Sequence, residues 1–94
     1  MILHLINHSP FTHTGLTEAT PLIESGDTVL FVDDGVYAVL QQEPLRELHK
    51  RGCRITFLEE DLHQRGLPVA VGEAITMATF VELAFTAKNT VSWY

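Results

Sequence analysis

The sequence has 94 residues, 46% of them apolar, and a formal charge of −6 at pH 7. A chain of this length carries one hydrophobic core, which predicts a single domain over residues 1–94 and excludes a two-domain architecture. Its six Lys and Arg residues are scattered along the sequence, which excludes direct binding to a nucleic-acid backbone, because that affinity comes from clustered cations.

Short apolar runs in the sequence predict the strands of a parallel sheet. The runs cover residues 2–3, 5–6, 29–32 and 55–58, with weaker candidates near Ile75 and Val91. Runs that are apolar on both faces are typical of parallel strands covered by helices, and about twenty residues separate the first three, as crossover helices require. The sequence therefore predicts an α/β domain with a mostly parallel four- to five-stranded sheet and helices on both faces. By analogy with flavodoxin-like folds, we expect the first strand to be central.

Two predicted crossovers contain residues that begin and end helices. The first covers residues 14–25 and is helical by length, but Pro21 lacks the backbone N–H donor of a helix interior, so we expect a kink or a late start there. In the second, Pro44 suits the first helical turn, and Lys50 with Gly52 marks the end of the helix.

A third helix is predicted over residues 79–87. Apolar residues recur there at the spacing of one helical face, and they are Phe80, Leu83, Ala84 and Ala87. We expect this face to pack on the sheet.

Two predicted strands end in acidic residues. The second strand is followed by Asp33, Asp34 and Gly35, and the third by Asp61 and Gly66. We expect aspartates of both segments to cap the helices that follow, and Gly66 to end the second one. The alternative is contact with a ligand or another subunit, because sites in open parallel sheets form at the carboxyl ends of strands. Nucleotide binding is excluded, since the carboxylates would repel a phosphate and no phosphate-binding glycine motif is present.

The single cysteine, Cys53, lies just before the third strand and hence at the amino end of the sheet. One unpaired cysteine excludes an internal disulfide and suits a reducing compartment, so we expect a cytoplasmic protein. Two interpretations of Cys53 stay open. Arg51 and Arg54 would favour a reactive thiolate if they point at it, whereas a lone cysteine is otherwise a small, partly buried apolar residue.

No metal, cofactor or membrane site is predicted. The histidines do not have the spacing of metal ligands, and His4 and His8 would lie on a strand and its exit loop. The apolar runs are far shorter than the roughly 20 residues that cross a bilayer. The amino-terminal residues also lack the pattern of an export signal.

Six motifs in a fixed order carry a family resemblance. They are Leu3-His4 with Ser9-Pro10-Phe11, Gly26-Asp27, residues 34–38, residues 60–62 with Arg65-Gly66, residues 80–83, and Val91-Ser92-Trp93. This set spans nearly the whole chain and resembles the TusB/DsrH family of sulfur-relay proteins. The resemblance implies a DsrE/DsrF/DsrH-like fold and a subunit of a dimer of heterotrimers with TusC- and TusD-like, or DsrE- and DsrF-like, partners. Such complexes take persulfide sulfur on a partner subunit and pass it toward 2-thiouridine at the tRNA wobble position, or within dissimilatory sulfur oxidation.

One departure from the family pattern concerns the reactive cysteine. The DsrH branch carries a cysteine roughly where this chain has Ala19 and Thr20, and the thiolate is the nucleophile that takes up sulfur. The resemblance therefore implies a TusB-like, non-catalytic subunit. Two alternatives stay open, namely a persulfide carrier that uses Cys53, and a homo-oligomeric binding domain with contacts through residues 67–71 and 91–94.

The motifs also supply candidates for contacts with partner subunits. These are Asp34, Gly35, Tyr37, Asp61, Arg65 and Trp93. The resemblance implies no direct contact with nucleic acid, because a downstream enzyme would hold the tRNA.

Overall fold

Five parallel strands form the centre of the computed structural model, which describes residues 1–93. They are β1 (Ile2–Ile6), β2 (Thr28–Phe31), β3 (Arg54–Leu58), β4 (Glu73–Ile75) and β5 (Asn89–Trp93). All neighbouring pairs are parallel, so the predicted strands and the predicted type of sheet are confirmed. β2 and nearly all of β3 are buried on both faces, because helices cover the sheet from both sides.

The strand order is β4-β3-β2-β1-β5. The expected flavodoxin-like order is wrong, because β2 rather than β1 is central. The second crossover causes the difference, because it places β3 beside β2 and not on the open side of β1. The last crossover then runs in the opposite direction. It carries the chain from β4 at one edge of the sheet to the opposite edge, where β5 pairs with the remaining side of β1.

Four α-helices and two 3₁₀ helices connect the strands of residues 1–93. They are α1 (Gly15–Ala19), a first 3₁₀ helix (Thr20–Leu22), a second 3₁₀ helix (Asp33–Leu40), α2 (Gln42–Lys50), α3 (Glu59–Gln64) and α4 (Met77–Thr86). The predicted helix that ends before Gly52 is confirmed as α2. Gly52 has a φ of +91°, and its N–H and that of Cys53 bond back to the carbonyl oxygens of His49 and Leu48, which closes the helix end.

The first crossover is less helical than its length predicts. α1 begins at Gly15, so the expected late start is wrong, and the α-helix ends at Ala19 instead of bending at Pro21. Pro21 lies in the first turn of the following 3₁₀ helix, where the missing N–H costs no helical hydrogen bond. Proline at this point therefore ends the α-helix rather than kinking it.

α4 crosses the sheet alone on its face. Leu83 is buried, and Phe80 and Ala87 pack beside it against a small core, as predicted. Ala84 is exposed, so the prediction that it lies on the packed face is wrong. A helix without a neighbouring helix contacts the sheet along a stripe too narrow to include it. Large apolar residues remain exposed on α4, and they are Met77, Val81 and Phe85.

The two faces of the sheet carry cores of different size. α1, α2, α3 and the second 3₁₀ helix cover the larger core, in which Phe31, Leu45 and Phe57 are fully buried. The rings of Phe31 and Phe57 stack with their centroids 5.0 Å apart. α4 covers the smaller core around Leu3 and Leu30 on the other face. Helices on both faces are therefore confirmed.

Candidate functional site

The carboxyl ends of β2 and β3 bring charged side chains together at one edge of the sheet. β2 leads through Val32 into Asp33, whose backbone has a φ of +49°, a left-handed conformation that aspartate tolerates better than most residues. This turn starts the second 3₁₀ helix, which contains Asp34 and Tyr37, while β3 runs directly into α3. Because β2 and β3 are parallel neighbours, their exits lie side by side.

Arg65 is the centre of this group. Its Nη2 and Nε donate to Oδ1 of Asp34 at 2.9 and 3.2 Å, and its Nη1 donates to the carbonyl oxygen of Asp61 at 3.0 Å. The guanidinium carbon lies 5.9 Å from the centroid of the Tyr37 ring, within cation–π range. Asp61 in turn accepts a hydrogen bond from the Asp33 N–H at 2.7 Å. We call Asp34, Tyr37, Asp61 and Arg65 the carboxyl-edge cluster.

The charges of the carboxyl-edge cluster are paired but remain in contact with solvent. The hydrogen bond to Asp34 is the main cause that raises the pKa of Arg65. Partial burial lowers this pKa, and the charges of Asp34 and Asp61 raise it further. The Asp34 side chain is 61% exposed and the Arg65 side chain 21% exposed, so solvent screens the pair. Such a pair holds a carboxylate and a guanidinium in fixed positions at the surface.

The aspartates of this edge do not cap the helices that follow them, so that prediction is wrong. Neither the second 3₁₀ helix nor α3 has a side-chain hydrogen bond at its N-cap. Asp34 pairs instead with Arg65, and Asp61 turns toward β2, where the Asp33 N–H is a donor. Gly66 follows the end of α3 as predicted. Contact of these carboxylates with a ligand or another subunit stays a prediction.

The two remaining candidates lie beside the end of β1. Gly35 is buried, and a Cβ atom there would lie 2.0 Å from the carbonyl oxygen of Ile6, so the second 3₁₀ helix can approach β1 this closely only with glycine. Trp93, the last residue of β5, is half-buried, and its indole N–H donates to Nδ1 of His4 at 3.1 Å. Contact of either residue with a partner stays a prediction.

Cys53 lies at the amino end of β3, as predicted, and is 4% exposed. Its Sγ–H donates to the carbonyl oxygen of Glu24 at 3.3 Å. Burial is the main cause that raises the pKa of the thiol. The charge of Arg51 lowers this pKa, and the charge of Asp27 raises it further. The thiol is therefore favoured over the reactive thiolate.

Neither neighbouring arginine is directed at Cys53. Nη1 of Arg51 donates to two backbone carbonyl oxygens of the first crossover, at 2.6 and 3.0 Å. Arg54 forms an ion pair with Glu73 on the neighbouring strand β4. The arrangement that would activate the thiol is not formed.

A buried polar pair, which the sequence patterns did not reveal, lies toward the amino end of the sheet. His4 is 4% exposed and Asp27 is 6% exposed, and Nε2 of His4 lies 3.1 Å from Oδ2 of Asp27. Asp27 also accepts from the backbone N–H groups of Ile2 and Glu24, at 3.0 Å each. Burial acts to raise the pKa of Asp27, but these hydrogen bonds and the electrostatic effect of His4 outweigh it, so the pKa is lowered. Gly26 ahead of Asp27 marks a turn in the sequence but does not identify the partner.

His8 and His13 stack in the loop after β1, with ring centroids 4.1 Å apart. Across residues 1–93, however, no group of three or more His, Cys, Asp or Glu side chains is placed to hold a metal ion.

In the same part of the chain, no helix has both the length and the apolar character needed to cross a membrane.

Three comparisons with known proteins bear on this arrangement. The family model described as DsrH like protein matches residues 8–90. Two curated relatives, each named Protein TusB, are 32% identical in Yersinia enterocolitica and 33% identical in Erwinia tasmaniensis; each alignment covers 98% of this chain and 100% of the relative. The crystal structure of the ychN protein from E. coli superposes with a TM-score of 0.86 over 98% of this chain and 97% of that chain. Its identity of 18% makes that likeness evidence for the fold alone.

Proposed function

The chain belongs to the DsrH-like family, which confirms the resemblance in its sequence, and from that premise we propose that it is a non-catalytic subunit of a heterohexameric sulfur-relay complex. Its partners in this proposal are TusC- and TusD-like subunits, arranged as a dimer of heterotrimers in the cytoplasm. The complex passes persulfide sulfur toward 2-thiouridine formation at the wobble position of tRNA. This chain contributes a binding surface, and a partner carries the sulfur.

The state of Cys53 is the observation that carries this proposal. Persulfide exchange needs an accessible thiolate, because the thiolate is the species that attacks the sulfur donor. Cys53 is the single cysteine of the sequence, and it is buried as a thiol that donates to the Glu24 carbonyl oxygen. Its burial and its raised pKa both oppose the uptake of sulfur.

The positions that match the cysteine of the DsrH branch support the same proposal. Ala19 is fully buried in the larger core, and the Thr20 hydroxyl donates to the carbonyl oxygen of Leu16 at 2.6 Å. Neither side chain can form a persulfide. This favours a TusB-like role in tRNA thiolation over a DsrH-like role in dissimilatory sulfur oxidation.

We assign the contact with a partner subunit to the carboxyl-edge cluster. Arginine and tyrosine are enriched among the residues that dominate binding energy, because each combines a large contact area with directional hydrogen bonds. Arg65 holds Asp34 and lies against Tyr37 before any partner binds, which lowers the cost of ordering these side chains on association. The charge of −6 opposes binding of the cluster to nucleic acid and supports a protein partner.

The first experiment replaces the thiol. Cys53→Ser is placed in a complex reconstituted with TusC- and TusD-like subunits and supplied with a persulfide donor. Assembly and the rate of sulfur transfer are expected to be unchanged, because serine keeps the size of the side chain and its donor. A large loss of transfer with assembly intact would contradict the proposal. Mass spectrometry that finds an added sulfur atom on Cys53 in the working complex would contradict it equally.

The second experiment tests the surface. Arg65→Glu places a third carboxylate beside Asp34 and Asp61 and is expected to weaken assembly at least tenfold, which corresponds to about 1.4 kcal/mol. Arg54→Glu is the matched control, since Arg54 is also a surface arginine in an ion pair, with Glu73, but lies at the amino end of its strand. Equal weakening by both variants, or none by Arg65→Glu, would exclude the cluster as the contact.

A further inference from the structure

A chain of hydrogen bonds joins the carboxyl-terminal strand to the interior through His4. Nε1 of Trp93 donates to Nδ1 of His4 at 3.1 Å, and Nε2 of His4 lies 3.1 Å from Oδ2 of Asp27. The rings of His4 and Trp93 are nearly parallel, with an interplanar angle of 21°. Both ring nitrogens of His4 are therefore used within the chain.

The donors in this chain of bonds fix the state of His4. An indole N–H can donate but cannot accept, so Nδ1 of His4 must be an acceptor and carries no proton. The proton of the ring then lies on Nε2 and is donated to the Asp27 carboxylate. These contacts require a neutral imidazole in one defined tautomer.

We propose that His4 is a pH-sensitive latch that holds β5 to the rest of the fold through Trp93. Protonation places a second N–H on the ring, at Nδ1. The indole N–H of Trp93 then loses its acceptor and faces another N–H donor. The bond from Nε2 to Asp27 is kept and becomes an ion pair, which is stronger. Acid therefore exchanges the Trp93 contact for a tighter pairing of His4 with Asp27. The latch uses contacts within this chain alone and does not depend on the proposed function.

The charges around His4 permit this exchange. Within residues 1–93, Asp27 is the charged side chain that contacts the ring. Its pKa is lowered, so it remains a carboxylate while His4 gains a proton. The other titratable groups on the surrounding elements are exposed or bonded elsewhere, and they are Glu18 on α1, Glu24 before β2, Arg51 after α2 and the Cys53 thiol.

β5 is the element that this latch would release. It is an edge strand paired on one side with β1, and its residues are exposed or half-buried throughout. Segments with few buried contacts open at the lowest free energy. Trp93 packs against the larger core and is the largest anchor of β5. Loss of its indole hydrogen bond therefore loosens β5 before it affects the inner strands.

Trp93 is the single tryptophan of the sequence, so its fluorescence reports this contact directly. The emission of the full chain is measured from about pH 8 to about pH 5, where histidine side chains titrate, together with hydrogen exchange of the backbone. The proposal predicts a red shift of the emission in one step on acidification, with faster exchange in β5 and unchanged exchange in β2 and β3. An unchanged emission maximum, or exchange that rises equally across the sheet, would overturn it.

His4→Asn is the matched variant. Asparagine places an amide oxygen near the position of Nδ1 and so offers Trp93 an acceptor that does not titrate. The emission of this variant is expected to be independent of pH over the same range, and a red shift equal to that of the unchanged chain would overturn the role of His4. Nitrogen NMR of the unchanged chain keeps the test decisive even if the variant does not fold. Before acidification, the proton of a neutral His4 is expected on Nε2, and a neutral ring with its proton on Nδ1 would overturn the latch.

Discussion

The two ends of the same sheet use polar residues in opposite ways. At the amino end, Asp27 and Cys53 are buried and have partners inside the chain, and Asp27 joins His4 in the middle of β1. At the carboxyl end, the pair of Asp34 and Arg65 is open to solvent. A buried polar group without a partner costs folding free energy, whereas an exposed ion pair contributes little to it. The amino end therefore stabilises the fold, and the exposed pair at the carboxyl end contributes little to it.

Asp27→Ala should have the largest effect on stability. It removes the acceptor for the N–H groups of Ile2 and Glu24, which are part-buried, and for Nε2 of His4, which is buried. We expect a loss of about 3 kcal/mol in the free energy of unfolding, measured by urea denaturation. Asp34→Ala is the control at the carboxyl end, with an expected loss below about 1 kcal/mol. Similar losses in the two variants would remove the distinction between the ends.

The same carboxylate predicts the direction of a pH dependence. Because the pKa of Asp27 is lowered in the folded state, its charge contributes stability above the ordinary value of 3.8, and this contribution is lost as the pH falls through the lower folded value. The difference in unfolding free energy between the unchanged chain and Asp27→Asn should therefore shrink below about pH 4. Urea denaturation across acidic pH measures it. A difference that grows as the pH falls would show that the sign is wrong.

Gly35→Ala tests a residue of the carboxyl end that serves the fold. The added Cβ would lie 2.0 Å from the carbonyl oxygen of Ile6, so the second 3₁₀ helix would have to move away from β1. We expect a loss of about 2 kcal/mol, measured by thermal unfolding. Gly15→Ala is the control, because its Cβ would lie 3.4 Å from the carbonyl oxygen of Trp93 and should change stability by less than about 0.5 kcal/mol. Equal stability of the two variants would mean that the close approach is relieved at no cost.

Arg65→Ala should have the smallest effect on the isolated chain. The ion pair with Asp34 is screened by solvent, so we expect a loss of about 0.5 kcal/mol in the free energy of unfolding. A double-mutant cycle with Asp34→Ala measures the pair itself. A loss as large as that of Asp27→Ala would reverse the comparison between the two ends of the sheet.

Local features of the fold could be predicted because they depend on residues close in sequence. α2 has Pro44 in its first turn and Gly52 after its end, and both boundaries follow from the preferences of these residues. The strand order could not be predicted in this way. It depends on which strand each crossover pairs next, β3 with β2 and β5 with β1, and residues close in sequence do not specify these pairings.

The carboxyl-edge cluster could be predicted only in part. The parallel topology places Asp34 and Asp61 at the same edge, but the partner of Asp34 is Arg65, 31 residues away in the sequence. Local reasoning favoured capping, because the nearest donors to an isolated aspartate are the N–H groups of its own turn. The contact of Trp93 with His4 joins residues 89 positions apart, so no pattern along the chain reveals it.

The exposed apolar residues of α4, Met77, Val81 and Phe85, govern how the isolated chain behaves in solution. Phe85 is 86% exposed, on a helix of ten residues whose single charged residue is Glu82. Sulfate and moderate warming both strengthen the attraction between apolar surfaces, so each should promote aggregation and precipitation of the purified chain. The purified chain should resist aggregation best in cold, low-salt buffers. Storage and handling will thus depend on one helix more than on the net charge of the whole chain.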